Sequence, residues 1–332
     1  MAEHALVEVE DVTRQYRLDW RRKVRAVDGV SLSLHAGETL SLVGESGCGK
    51  STLARLILRL EAPDQGRIRL AGEDITTLSG AALRERRRLM QMIFQDPYAC
   101  LDPRMTAGDI VREPLDNYHI GTPPQRRAAV HDLMDRVGLR RDYVSRYPYE
   151  LSGGQRQRLG IARALALKPK VLLADEPVSA LDVSIRAQVI NLLVDLQKEY
   201  GIAILLVSHD IDVVAHVSHR IAIMYVGRIV ETGPAARVLS HPLHPYTRAL
   251  LDAVPVAHPR LRRARQLIEG DVPSPVDPPS GCRFHPRCPM ATARCSSEVP
   301  LLKMVEHDRS VACHLVAPHH PMSPPETQER AT

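Results

Sequence analysis

The sequence is poor in aromatic mass, with two Phe and one Trp in 332 residues. Any core must therefore rest on Leu, Val, Ile and Ala. It also lacks a strong charge bias. Forty-four Lys and Arg stand against thirty-nine Asp and Glu, a net charge of +5 with no long basic run. The densest cluster, RERRR at 84–88, reads as a solvated helix face. Charge therefore gives no support for nucleic-acid binding. No apolar run approaches the ~20 residues of a membrane span. The longest, Ile202–Val207, suits a buried strand. The opening residues, MAEHALVEVEDV, lack the basic and apolar regions of a signal peptide. The protein is thus expected to stay in the cytosol, where six Cys argue against structural disulfides.

The length suits one large domain and a smaller one. Residues 5–12 alternate apolar and polar, as an edge strand does, and SLSLH at 31–35 repeats the pattern. Thr39–Val43 is a short apolar strand running into a Gly-rich turn. A helix pattern runs from Ser51 to Leu60 and ends before Pro63. Strand and helix patterns alternate to about Phe94. Residues 106–150 carry apolar residues at helical spacing, broken by Pro114, Pro123, Pro124 and Pro148, and predict a helical insertion. The rhythm then returns with Val171–Ala174, Ser184–Tyr200, Ile202–Val207 and Arg220–Val226. Continuous apolar strands between helices indicate an α/β fold, its parallel sheet covered on both faces. After about residue 240, Pro and His become dense. A boundary is placed there, with a small loop-rich module at 241–317 and a disordered tail at 318–332.

GESGCGKST at 44–52 fits G-x-x-x-x-G-K-[ST] directly after a strand and before a helix. Gly44, Gly47 and Gly49 let the backbone curl, so that its N–H groups and the helix N-terminus can hold phosphates. Glu45, Ser46 and Cys48 complete the loop. Lys50 is expected to reach the β- and γ-phosphates, Ser51 to offer its hydroxyl to Mg²⁺, and Thr52 to add a phosphate hydrogen bond. Val171–Ala174 runs into Asp175 and Glu176, two carboxylates at a strand's C-terminal edge, where open α/β sheets put their ligands. Asp175 is expected to hold Mg²⁺ and Glu176 to polarise the attacking water.

LSGGQ at 151–155 resembles the ABC ATPase signature and precedes a helical run, Arg156–Leu167. The resemblance implies a RecA-like P-loop core with an antiparallel β edge and a helical subdomain at about 100–158, all within residues 1–240. It also implies that Ser152, Gly153, Gly154 and Gln155 contact a partner protomer's nucleotide. Gln95 in IFQDP resembles the Q-loop glutamine, which senses Mg²⁺ and the water. SALD at 179–182 resembles the D-loop, whose Asp182 faces the partner. His209 in LLVSHD resembles the switch histidine. Tyr16 is the candidate for stacking on adenine, with Trp20 as its rival. FQDPYACLDPRMTAGDIVREPL, DEPVSALDVS, HPYTRALL at 244–251 and CRFHPRCPMATARC are similar to oligopeptide/dipeptide-type importer ATPases. Val178 stands where the superfamily more often has Thr.

Cys282, Cys288, Cys295 and Cys313 cluster in a Pro-rich segment with little core, which suits a metal-stapled module. Their spacing is neither a zinc ribbon nor a ferredoxin run. Zinc and free or disulfide thiols stay open, as do His285 and His314 as ligands. The family resemblance implies a [4Fe–4S] cluster on the four thiols. None of them lies in an ATPase motif, so such a centre is expected to stabilise the module without entering ATP chemistry. The resemblance further implies an importer motor on the cytoplasmic face of the membrane. Its partners are two transmembrane permease subunits, a homologous ATPase subunit and an extracytoplasmic solute-binding protein. Di- or oligopeptides are the expected cargo, with nickel or sugars as alternatives. A soluble ABC ATPase outside transport is the rival reading.

Overall fold

The computed structural model describes residues 5–20, 22–253, 270–306 and 308–316. The predicted tail at 318–332 lies outside the described residues, as does most of the stretch after Ala253 that carries VPVAHPRLRR.

The chain opens with β1 (Val7–Arg17), β2 (Lys23–Leu34), β3 (Thr39–Val43) and α1 (Lys50–Ile57). β4 (Gln65–Leu70), β5 (Glu73–Asp74), α2 (Gly80–Arg87) and β6 (Met90–Ile93) follow. Next come α3 (Pro97–Cys100), α4 (Ala107–Asn117), α5 (Pro123–Arg136) and α6 (Gly153–Leu165). β7 (Val171–Asp175), α7 (Val183–Tyr200), β8 (Ala203–Ser208), α8 (Ile211–Val217), β9 (Arg220–Tyr225) and β10 (Arg228–Pro234) return to alternation. After them stand α9 (Ala235–Ser240), α10 (Pro245–Asp252), α11 (Ala293–Ser297), β11 (Lys303–Glu306) and β12 (Arg309–Val311).

Among the described residues the strands form two sheets. One is antiparallel, in the order β2-β1-β4-β5. The other runs β11-β12-β10-β9-β3-β8-β7-β6. Its neighbours from β9 through β3, β8 and β7 to β6 are parallel. β10, β12 and β11 extend it antiparallel. β3 is buried at all five positions because it has a parallel partner on each side. This explains its unbroken apolar pattern. α1 buries Leu53, Ala54, Leu56 and Ile57 in one apolar cluster with residues of both sheets. The helical insertion and α7 share a second cluster.

Two local signals resolve differently. Pro123 and Pro124 start α5 at its first two positions, where a missing N–H costs nothing. Pro114, read from sequence as a break, lies inside α4, which continues to Asn117. Ile110, Val111 and Leu115 of α4 are buried, so tertiary packing outweighs the lost helical hydrogen bond.

The change of texture at residue 240 is not a break in packing. β12 pairs with β10, with Glu231 opposite Val311. Phe284 joins Tyr225 and Tyr246 in one aromatic cluster, with centroids 5.3 Å and 5.5 Å from Phe284. Arg309, 2% exposed, pairs with the fully buried Glu231 at 2.6 Å. Glu231 also accepts the amides of Leu243 and His244.

Candidate functional site

Parallel pairing brings four strand ends to one edge of the sheet. In the spatial order β3-β8-β7-β6, these ends lead into Gly44, His209, Asp175–Glu176 and Gln95. Four motifs separated by up to 165 residues thus become neighbours, because every strand between them runs the same way.

The loop after β3 has the shape its glycines permit. Gly49 has φ 108°, a left-handed backbone, and a Cβ there would come 2.0 Å from Ala26 O. At Gly44 a Cβ would meet Met224 O at 2.1 Å. Lys50 is 5% exposed. Its Nζ donates to Gly44 O at 2.8 Å and Glu45 O at 3.0 Å, so the lysine lies folded along the loop. Cys48 is buried, and burial pushes its thiol above the ordinary range.

Ser51 Oγ donates to Asp175 Oδ1 at 3.0 Å. Asp175 is 5% exposed, and burial raises its carboxyl above the usual range, partly offset by the Ser51 hydrogen bond. A buried carboxylate beside a hydroxyl is a hard-oxygen donor pair suited to Mg²⁺. The next residue, Glu176, has φ 45°, and its N–H donates to Val207 O at 2.9 Å. Its two carboxylate oxygens are held separately. Gln95 Nε2 donates to Oε2 at 2.9 Å, and His209 Nδ1 lies 3.1 Å from Oε1. Gln95, Glu176 and His209, each picked from a separate motif, therefore form one group.

The Tyr16 hydroxyl donates to the Glu61 carboxylate. Arg14 lies over the Tyr16 ring at 5.0 Å. Trp20 is 79% exposed.

The LSGGQ segment forms the N-terminus of α6. Ser152 is the N-cap and Gln155 closes a capping box, with Gln155 N–H to Ser152 Oγ at 3.3 Å and Ser152 N–H to Gln155 Oε1 at 2.9 Å. A Cβ at Gly154 would stand 2.4 Å from Ile185 Cγ2, and one at Gly153 would stand 3.6 Å from Leu181 Cδ2. The signature thus packs against the start of α7 and the loop carrying Asp182, its N-cap. Among the described residues, the capping-box bonds of Ser152 and Gln155 stay inside the motif and do not reach the phosphate loop.

A groove of about 730 Å³ separates the core from the helical insertion, lined by Phe94, Gln95, Cys100, Glu113, Asn117 and Arg163 among others. Arg163 reaches across to Cys100 O at 2.6 Å.

The six cysteines are free thiols. Cys282, Cys288, Cys295 and Cys313 lie within one another's electrostatic reach. Burial pushes the Cys282 thiol up to about 11. Cys282 N–H donates to Cys295 O at 2.8 Å, so the chain folds back on itself there. Among the described residues, no three or more His, Cys, Asp or Glu converge to hold a single metal ion. His285 Nδ1 lies 2.9 Å from Cys282 O and His314 Nε2 lies 2.9 Å from Glu298 O, so one nitrogen of each is engaged by a carbonyl.

Sequence reasoning missed two residues that touch the phosphate loop. Tyr246 Oη accepts the Glu45 N–H at 3.0 Å, and Arg287 pairs with the Glu45 carboxylate. The only sequence signal was their position within the HPY and CRFHPRC segments.

The family profile for ABC transporters matches residues 27–179. That for the oligopeptide/dipeptide transporter C-terminal region matches residues 230–295. The chain is 55% identical over 320 residues to a probable peptide ABC transporter ATP-binding protein of Sinorhizobium fredii, covering 95% of this chain and 91% of that one. It is 48% identical over 322 residues to the oligopeptide transport ATP-binding protein AppF of Bacillus subtilis, covering 94% and 98%. A solved ATP-binding cassette dimer in a post-hydrolysis state, bound to ADP and phosphate, superposes with TM-score 0.64 and 31% identity. The match covers 69% of this chain and 98% of that one. The cbiO1 subunit of Clostridium perfringens superposes with TM-score 0.65 and 29% identity, covering 72% and 92%. The chain belongs to the ATP-hydrolysing subunits of ABC transporters, in the group that carries the oligopeptide/dipeptide transporter C-terminal region.

Proposed function

We propose that the chain is the ATPase of a peptide importer and that Glu176 is its catalytic base. The observation that carries this is the Glu176 carboxylate held between Gln95 and His209, one residue after the Asp175–Ser51 pair. Residues 44–52 take the phosphates, with Lys50 turning from the loop carbonyls to the β- and γ-phosphates. Ser51, Asp175 and Gln95 would hold Mg²⁺, which neutralises phosphate charge when bound. Water attacking the γ-phosphorus gives up its proton toward Glu176 as the bond from that phosphorus to the bridging β–γ oxygen breaks and ADP leaves, and His209 fixes the other carboxylate oxygen. Tyr16 supports adenine on the ring face away from Arg14.

Ser152, Gly153, Gly154, Gln155 and Asp182 serve the nucleotide of a second, homologous ATPase subunit. A helix N-terminus with two glycines is an anion site, and the capping bonds of Ser152 and Gln155 stay within the motif. The groove beside Gln95 receives a helix from one of the two permease subunits, which couples closure to transport. This puts the chain on the cytoplasmic face of the membrane, with a solute-binding protein on the other side. Among the described residues no helix is long and apolar enough to cross a membrane. Peptide cargo rests on the relatives' names.

Cys282, Cys288, Cys295 and Cys313 would hold a [4Fe–4S] cluster, which supplies a staple to a segment with little regular secondary structure. The domain limits proposed are an ATPase domain to residue 240 and a C-terminal module from 241.

The test is Glu176→Gln. The amide keeps the shape but cannot take a proton. ATP binding should persist while steady-state hydrolysis falls at least ~10²-fold. Normal hydrolysis by the variant would remove Glu176 from the role.

A further inference from the structure

The segment between Cys282 and Cys288 reaches the phosphate loop. Arg287 Nη1 lies 3.0 Å from Glu45 Oε2, and Nη2 lies 3.2 Å from Oε1, a two-point pair. Nη1 also donates to Tyr225 Oη at 3.2 Å. The Arg287 side chain is 8% exposed. Glu45 is the second residue of the loop, and every polar group it has is engaged. Its N–H goes to Tyr246 Oη, its carbonyl takes Lys50 Nζ, and its carboxylate takes Arg287.

Glu45 puts a negative charge into a loop that must accept a polyanion. A bare carboxylate there repels phosphate through a half-buried medium. A planar guanidinium on both oxygens cancels the charge and fixes its direction, which the point charge of a lysine does less well. Holding the C-terminal module in place does not require Arg287. Arg283 binds Asp28, Arg309 binds Glu231, and β12 pairs with β10.

We infer that Arg287 is a positioning residue of the ATP site: by neutralising and fixing Glu45, it lets the cysteine-bearing segment set the affinity of the phosphate loop for ATP. This rests on residues 44–52 being the ATP phosphate site. It also revises the expectation that the cysteine segment stands apart from ATP chemistry.

The test uses the full chain, with ATP and ADP affinities read by displacement of a fluorescent nucleotide, alongside steady-state hydrolysis. Arg287→Met should weaken ATP about tenfold and ADP less, because ADP carries less charge. KM for ATP should rise more than kcat falls. Adding Glu45→Gln to Arg287→Met should restore ATP affinity, since the repelling carboxylate is then gone. Wild-type affinity in Arg287→Met, equal losses for ATP and ADP, or no restoration in the double variant would each overturn the inference. If Arg287→Met folds poorly, Glu45→Gln alone decides. The freed guanidinium should tighten ATP severalfold, and unchanged or weaker binding would overturn the inference. Lys50→Ala separates the two levels, because normal ATP binding by that variant would defeat the phosphate-site reading itself.

Discussion

Glu176 is held in the left-handed backbone region, which costs a non-glycine residue ~1–3 kcal/mol. Three bonds hold it there: its N–H to Val207 O, and its carboxylate to Gln95 and His209. The strain at this position thus falls on the residue that must point across the site. Lys50 lies in the opposite situation, with a flexible side chain satisfied by loop carbonyls. Lys50→Ala should leave the fold intact, since the loop's shape rests on its glycines. Nucleotide binding and turnover should both fall, and equilibrium binding with thermal melting as a fold control would check this. Ser152 differs again, because its bonds end within its own capping box. Ser152→Arg should leave ATP binding to the isolated subunit unchanged and abolish turnover. Loss of binding by the monomer would contradict a shared site.

At the scale of elements, α10 shows how the HPY segment works. His244 is the N-cap of α10, and its Nδ1 accepts the Tyr246 N–H at 3.0 Å. Pro245 occupies the first helical position. Tyr246 is then aimed at the Glu45 amide. His244 is buried, and burial lowers its pKa to about 3. The folded protein therefore keeps it neutral, while the unfolded chain takes up a proton below ~6.5. Its contribution to stability is complete above pH ~6.5 and is lost as pH falls toward 3. At pH 5 the loss is about 2 kcal/mol. Thermal melts at pH 7.5 and pH 5 should show this slope. His244→Asn, which can still cap but does not titrate, should flatten it. An equal slope in that variant would place the pH dependence elsewhere.

At the scale of the whole molecule, the cysteine segment and the ATPase core share one packed unit. Phe284 sits in the core's aromatic cluster, and Cys282 and Cys288 pack against the same group. Cys295 is buried and Cys313 half-buried, and ordering each residue of the segment costs ~1–2 kcal/mol in chain entropy. Metal ligation can offset that where a core cannot. Protein purified without oxygen should be brown, with about four iron and four sulfide per chain. Cys288→Ser should lose that colour and lower the yield of assembled transporter. It should also weaken ATP binding, because Arg287 is the adjacent residue. Anaerobic protein without iron, or zinc in its place, would reject the cluster.

The sequence alone determined the local chemistry. GESGCGKST, the Asp175–Glu176 pair, LSGGQ and the β3, β7, β8 and β9 patterns are short-range signals. Each is set by backbone freedom, side-chain type and periodicity within a few residues. Helix α6 was legible for the same reason, since Ser152 and Gln155 make a local cap. Pro114 was misleading because its context is tertiary: buried neighbours hold α4 through a residue that breaks isolated helices. Only the tertiary structure decided that Gln95, Glu176 and His209 share one carboxylate, because that depends on parallel strand order rather than on any motif. The same holds for Arg287 and Glu45, 242 residues apart. Neither residue type nor spacing marks an ion pair across such a distance, which exists only because β12 and Phe284 dock the C-terminal segment onto the β9–β10 end of the sheet.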